Sequence, residues 1–249
     1  MSAMPESGNG ASTRDGQSVA VVHDRLRSAI VRGDLPAGQI TSQVTLAREL
    51  GVGRTPLREA LRMLQREGLV VSEPNRRVRI AELSSNDAEE LYVMRIALEG
   101  VAIRITVPTL TSDDFAELEG YMAQMDHYMR ADNPAGMRAP HRAFHLRFVA
   151  ASGPRVTETI AQLFDHAERY RRAFGAATPE VWDQRRAEHR ALVDAAAEGD
   201  VELTAQRLIA HYSRTVALIF AALDSDHDLA RLRTTIHTVA PGAESALTL

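Results

Sequence analysis

The stretch GVGRTPLREALRMLQREGLV, residues 51–70, permits one local structure. Leu57, Leu61 and Leu64 recur at helical spacing, while Arg54, Arg58, Arg62 and Arg66 recur every four residues on another face. Pro56 falls in the first turn, where its missing N–H does no harm. Gly68 supplies a C-terminal cap. The short GVGR connection forces a tight turn after whatever precedes it. What precedes it is TSQVTLAREL, which opens on Thr41 or Ser42 as an N-cap and sets Leu46 and Leu50 on one face. Earlier still, SVAVVHDRLRSAIVR spaces Val21, Val22, Leu26 and Ile30 as a helix, and GDLPAGQ stops it. Downstream, Val70 and Val71, then Val78 and Ile80, flank a Pro-Asn turn and predict a short β-hairpin.

Helix, helix, turn, helix, hairpin is the layout of a winged helix-turn-helix, over residues 18–82. Its charge suits contact with a polyanion. Residues 18–82 hold 11 Arg against 7 Asp and Glu, and residues 83–249 hold 17 Arg against 24. A basic head on an acidic body suits nucleic-acid contact by one domain only. All 29 basic residues are Arg, which reads as a coding bias and lowers the weight of any single one. The absence of Cys removes disulfides, thiolate catalysis and Cys-based zinc sites together. Aromatics are only 5% of the chain, so stacking on bases is not expected to dominate. No apolar run approaches the ~18 residues of a membrane span. Residues 1–17 lack the basic start and apolar block of a secretory signal and read as a disordered tail. The expected location is the cytoplasm, with no membrane partner.

From Ser84 onward the pattern predicts an all-helical antiparallel bundle over 85–223, so the fold class is mainly α. Helices are expected near 85–107, 111–130, 135–152, 155–174, 179–198 and 201–223, with another near 225–237. Leu91, Met94, Leu98, Val101 and Ile105 read as the apolar stripe of the first of these. Residues 224–249 form a C-terminal extension whose last stretch, APGAESALTL, is expected to fray.

In a helix-turn-helix the second helix presents its N-terminal residues to base edges in the major groove. Arg54, Thr55 and Arg58 lie there. An Arg can grip the O6 and N7 of guanine with two hydrogen bonds, discriminating by roughly 1–3 kcal/mol. Arg62 and Arg66 lie further along and are expected to be solvated or paired with Glu59 and Glu67. The hairpin tip adds Arg76, Arg77 and Arg79, which suit phosphates or a narrow minor groove. The alternative is a solvated surface helix that is Arg-rich because the whole chain is. The preceding helices and the basic hairpin weigh against it. Together LARELGVGRTPLREALRMLQREGLV resembles the signature of the GntR family of bacterial transcription regulators. That resemblance implies operator contacts by Arg54, Thr55 and Arg58, and a phosphate contact by Ser42. Gly53 stands where the family usually has Ser, and Arg77 where the wing usually has Gly.

Nine histidines punctuate the sequence. His141 and His145 are i, i+4 and share a helix face. His189 and His211 stand at similar distances on either side of a break at Gly199 and Asp200. Antiparallel neighbours would bring them to one level, since a helix rises ~1.5 Å per residue. With His145 alongside, three imidazoles suit zinc, nickel, manganese or iron. For any one of them the bland reading is a surface or satisfied core residue. The pieces MRIALEGVAIRI, HRAFHLRFVAASGP and EHRALVDAAAEGDVELTAQRLIAHYSR resemble the FCD-type effector domain of the FadR subgroup. The resemblance implies a divalent metal on one Asp and three His, with a carboxylate-bearing metabolite beside it and no organic cofactor. His145, His189 and His211 match the three His, and His141 occupies the Asp position. Arg95, paired in sequence with Glu99, is the effector-binding candidate, with Tyr92, Arg147, Tyr170 and Arg214 behind it. The alternative for Arg95 is an i, i+4 ion pair on the helix surface. The expected protein is a homodimeric regulator, a repressor by resemblance, that binds a palindromic double-stranded operator and senses a small organic acid. It is not expected to be an enzyme. Two alternatives are an architectural DNA-binding protein without effector, and a metalloenzyme with Glu188 as its acid/base.

Overall fold

The computed structural model describes residues 18–175 and 178–247. The expected N-terminal tail, 1–17, lies outside them. The chain divides into two compact units at residues 83 and 84.

The first unit runs α1 (Val19–Arg32), β1 (Ile40–Ser42), α2 (Gln43–Leu50), α3 (Arg54–Arg66), β2 (Val70–Glu73) and β3 (Arg77–Ile80). The caps follow from the sequence. Ser18 accepts from the Val21 N–H, and Gly33 takes the left-handed conformation that ends α1. Ser42, not Thr41, is the N-cap of α2, its Oγ accepting from the Thr45 N–H at 3.0 Å. Gly53 gives α3 no side-chain cap. Beyond the end of α3, Gly68 has φ 76°, and the Leu69 N–H reaches back to the Leu64 carbonyl at 2.9 Å. Val22, Leu26, Ile30, Leu46, Leu57, Leu61 and Leu64 meet Val70, Val78 and Ile80 in one core. The sheet order is β1-β3-β2, antiparallel throughout. The hairpin was expected; β1 was not, because three residues carry no readable period.

The second unit contains α4 (Ser85–Thr106), α5 (Ser112–Arg130), α6 (Pro134–Arg147), α7 (Pro154–Phe174), α8 (Pro179–Ala197), α9 (Val201–Leu223) and α10 (Ala230–Val239). α4 packs against α7, α9 and α10, while α5 pairs with α6 and α8 with α9. The expected helix 135–152 ends at Arg147, and a 3-10 turn, Ala150–Ser152, completes it. Two expectations fail here. The apolar stripe on α4 is split: Leu91 is buried and Leu98 packs on the core, whereas Met94, Val101 and Ile105 are 46%, 57% and 49% exposed. The helix buries Tyr92, Ile96, Ala102 and Ile103 instead, because it is apolar on both faces and spacing alone does not choose between them. Nor does the C-terminal stretch fray through its described length. It forms a 3-10 turn, Glu244–Leu247, with Ala240, Ala243 and Leu247 buried.

Candidate functional site

Two sets of side chains stand out, one in each unit. In the first, Arg54, Thr55 and Arg58 are exposed at the start of α3. Without a capping side chain at Gly53, the first-turn N–H groups of α3 keep their capacity for an external acceptor. Arg62 is held by Glu59 at 2.9 Å. Glu67 turns away from Arg66 and accepts from His23 at 2.5 Å and Arg27 at 3.1 Å, bracing α1 against the end of α3, and Arg66 is left exposed, the solvated one of its two expected states. At the hairpin tip Arg76 and Arg77 are exposed, whereas Arg79 is bound to Glu73 and Glu82. Asn75 and Arg76 carry the positive φ of the turn, 59° and 57°. Arg77 begins β3 and needs none, so the wing turns without glycine. Ser42 is half-buried and occupied as a helix cap.

In the second unit, His141 and His145 on α6, His189 on α8 and His211 on α9 converge, each offering a nitrogen within 4.8 Å of the others'. All four are buried. The turn that returns α9 alongside α8 has Gly199 at φ 75° and Asp200 capping α9 through the Leu203 N–H at 2.9 Å. It brings the His189 and His211 rings to 4.8 Å. Burial, then the neighbouring imidazoles, pushes His141, His145 and His189 well below the usual histidine range. Burial lowers His211 too, with Glu188 opposing it. The cluster is therefore neutral near pH 7, the form that donates lone pairs.

Hydrogen bonds around the cluster orient those lone pairs. His211 Nδ1 donates to Glu188 at 2.6 Å, leaving Nε2 bare. Tyr212 donates to Glu99 at 2.5 Å and sits 3.2 Å from His145 Nδ1, so the network favours a bare Nε2 on His145 as well. Burial, then Glu99, raises the Tyr212 hydroxyl far above its usual range, which keeps its proton in place. His145 Nε2 and His141 Nε2 are 3.2 Å apart, near the spacing of two nitrogens ~2.0–2.1 Å from one tetrahedral ion. His141 Nδ1 and both His189 nitrogens are buried without a hydrogen-bond partner. Each such orphan costs about 1–3 kcal/mol. A divalent metal fits this donor set.

Arg95 is not on the surface. It is 4% exposed, donates to Glu99 at 2.8 Å and stacks on the Tyr212 ring at 4.2 Å. Burial works against its charge, but Glu99 outweighs it and raises the guanidinium above its usual value. Its Nη2 has no partner. With Tyr92, Phe164, Arg171 and Arg185 it lines a chamber of about 20 Å³ beside the histidines. Arg171, Arg185, Phe164 and Tyr212 were not foreseen; they come from helices whose alignment no local pattern gives. Of the other effector candidates, Tyr92 lines this chamber. Arg147 pairs with Asp114 and Glu117, Tyr170 with Asp87, and Arg214 with Glu188.

A winged helix-turn-helix with a basic face, followed by a helical unit with a buried polar chamber, is the arrangement of a regulator of transcription. Comparison with known proteins agrees in class. Residues 19–80 match the bacterial regulatory proteins of the gntR family, and residues 90–214 match the FCD domain. The chain belongs to the gntR family of bacterial regulatory proteins, in the branch that carries an FCD domain. It is 29% identical over 202 residues to a probable D-xylose utilization operon transcriptional repressor of Paenarthrobacter nicotinovorans, covering 76% of this chain and 83% of that one. It is 23% identical over 206 residues to the transcriptional repressor GlaR of Escherichia coli, covering 80% and 94%. The fold is that of E. coli McbR/YncC, with a TM-score of 0.74 at 22% identity over 82% of this chain and 97% of that one. These relatives are regulators of transcription, and the chain is a DNA-binding regulator rather than an enzyme. No helix among the described residues is long and apolar enough to cross a membrane.

Proposed function

We propose that this chain is a homodimeric repressor that binds a palindromic operator and releases it when a small organic acid enters the helical unit beside a bound divalent metal. The observation that carries the sensor half is the cluster of four buried imidazoles, two of which, His141 and His189, have unpartnered nitrogens. His141, His145, His189 and His211 would hold zinc, nickel or manganese, which would supply a fixed positive charge and, in an ion of more than four coordination positions, a place for a carboxylate oxygen. Glu188 and Tyr212 keep two of these rings in the donating orientation. Arg95, aligned by Glu99, adds a guanidinium edge for an anion.

The reading half rests on Arg54, Thr55 and Arg58 at the start of α3, with Arg76 and Arg77 on the wing and Ser42 as a phosphate contact. The apolar positions Met94, Leu98, Val101 and Ile105 alternate by four, three and four along α4, the spacing of a helix–helix seam. Such a seam on a 22-residue helix fits a second copy of the same helix, and two-fold symmetry in the protein asks for two-fold symmetry in the operator. Ligand favours one arrangement of the dimer and DNA another, so the two oppose each other by population shift.

Metal analysis of chelator-free protein tests the sensor. About one metal per chain, lost in His189→Ala/His211→Ala, is expected; unchanged metal content dismisses the site. Selection from a random duplex library tests the reader. Arg58→Ala should lose discrimination worth roughly 1–3 kcal/mol at one base pair with the fold intact, and retained discrimination removes α3 from that role.

A further inference from the structure

The two units are joined by very little chain. Ala81 is still tied to the first: its N–H donates to the Leu69 carbonyl at 3.0 Å. Ser84 is the first residue of the second. Glu82 and Leu83 stand between them, and Glu82 is paired with Arg79 of β3. A connector this short leaves the freedom of the head to whatever holds its two ends.

The hold on the helical side is Tyr170. It lies on α7, 86 positions from Ser84, and is fully buried. Its hydroxyl accepts from the Ser84 N–H at 3.2 Å and donates to the Asp87 carboxylate at 2.5 Å, with the Ser84 carbonyl 3.3 Å away. Asp87 is held from the other side as well: its N–H donates at 3.3 Å to the Oγ of Ser84, the N-cap of α4. Burial, then the Asp87 bond, raises the Tyr170 hydroxyl above its usual range, so its proton stays in place to be donated. A buried tyrosine hydroxyl needs a partner. This one takes two, both at the start of the helix that follows the connector.

Tyr170 is itself firmly seated. Ala167, Glu168 and Arg171, on either side of it, line the inner chamber beside the histidines, and α7 packs along α4. The start of α4 is therefore bound to the interior of the helical unit through a 21-residue helix, where an unheld helix end would fray.

We propose that Tyr170 is a positioning residue for operator binding: it pins Ser84 and Asp87, fixing the point from which the reading head is tethered, so that two heads of a dimer meet two half-sites together. Once one head is bound, the second binds at an effective concentration set by its tether. A tether whose origin wanders spreads the head over more positions and lowers that concentration, while each head keeps its own grip on DNA. This assignment rests on the dimer and the palindromic operator proposed above.

The full-length protein is titrated by fluorescence anisotropy with the duplex that wild type selects and with a duplex carrying one half of it. Tyr170→Phe removes the hydroxyl and keeps the ring. It should weaken the full duplex about tenfold and leave the half duplex unchanged. Exchange of the Ser84 amide should quicken in the same protein, with its thermal melt and dimer intact. Asp87→Ala, at an exposed position, breaks the same bond from α4 and should repeat the result even if Tyr170→Phe folds poorly. Because the two residues share that bond, the double variant should lose no more than either single one. Equal losses on the full and half duplexes would reduce Tyr170 to a structural residue. Full-duplex affinity unaltered in both single variants, or losses that add in the double variant, would equally overturn the proposal. Wild type that binds the two duplexes alike discards the dimeric reading, and the role of Tyr170 with it.

Discussion

His211 owes its orientation to Glu188, a residue that no motif singles out. Glu188 is one position before His189, and on a helix that turns it about 100° away. The carboxylate therefore serves the histidine on the facing helix, not its neighbour. That removes the geometry an acid/base role beside His189 would need. It gives Glu188 a positioning role instead, since partners of this kind change metal affinity by roughly 10–100-fold. Glu188→Gln should weaken metal binding by about that factor in a chelator competition without changing the number of metals bound. Unaltered affinity would reduce Glu188 to a surface partner of Arg214. The i, i+4 pair His141 and His145 was legible because both lie on one helix. Arg171 and Arg185 were not, because they meet the cluster from α7 and α8 and nothing in their local sequence points there.

At the scale of elements, α10 is docked by a buried carboxylate. Glu89 on α4 is 1% exposed. It accepts from Arg231 Nη2 at 2.6 Å, His227 Nε2 at 3.2 Å and the Leu232 N–H at 3.2 Å. Gly100 permits the close approach, since a Cβ there would collide with Val239 Cγ1. Burial opposes the Glu89 charge, but the Arg231 and His227 hydrogen bonds prevail and hold its carboxyl below the ordinary 4.5. A depressed carboxylate stabilises the fold above its unfolded value, and that stability is lost as pH falls through the folded one. Hydrogen exchange of α10 should accelerate progressively below about pH 4.5, and Glu89→Gln should remove that dependence while raising exchange at pH 7. Exchange in α10 that ignores pH in both proteins would mean the carboxylate is not what docks it. The sequence marked α10 as a helix within a few residues, but its attachment depends on partners about 140 positions away.

For the molecule as a whole, the exposed face of α4 is the surface that the proposed dimer would cover. A helix apolar on both faces belongs in an interior, yet one face of α4 is exposed here. Val101→Asp should convert a dimer to monomers in sedimentation, leave the metal centre filled and weaken operator binding far more than a single phosphate contact would. A Val101→Asp protein that stays dimeric moves the interface elsewhere. Affinity for DNA should also fall steeply with salt, because each neutralised phosphate contributes a slope of about −0.9 in log K against log salt. A flat dependence would count against the basic head as the contact.

The sequence by itself determined what is local. The glycine stop at Gly68, the Pro-Asn hairpin, the helix breaks and the i, i+4 histidines follow from dihedral preference and spacing, which act within a few residues. It also determined the class, because the reading helix and its turn are a contiguous signature. Tertiary structure decided what depends on which face meets which. It chose the buried side of α4, sank Arg95 beneath Tyr212, aimed Glu188 at His211 and folded the C-terminal turn onto α9. Those outcomes come from apolar area and polar partners supplied by distant segments, and spacing along one segment holds no record of them.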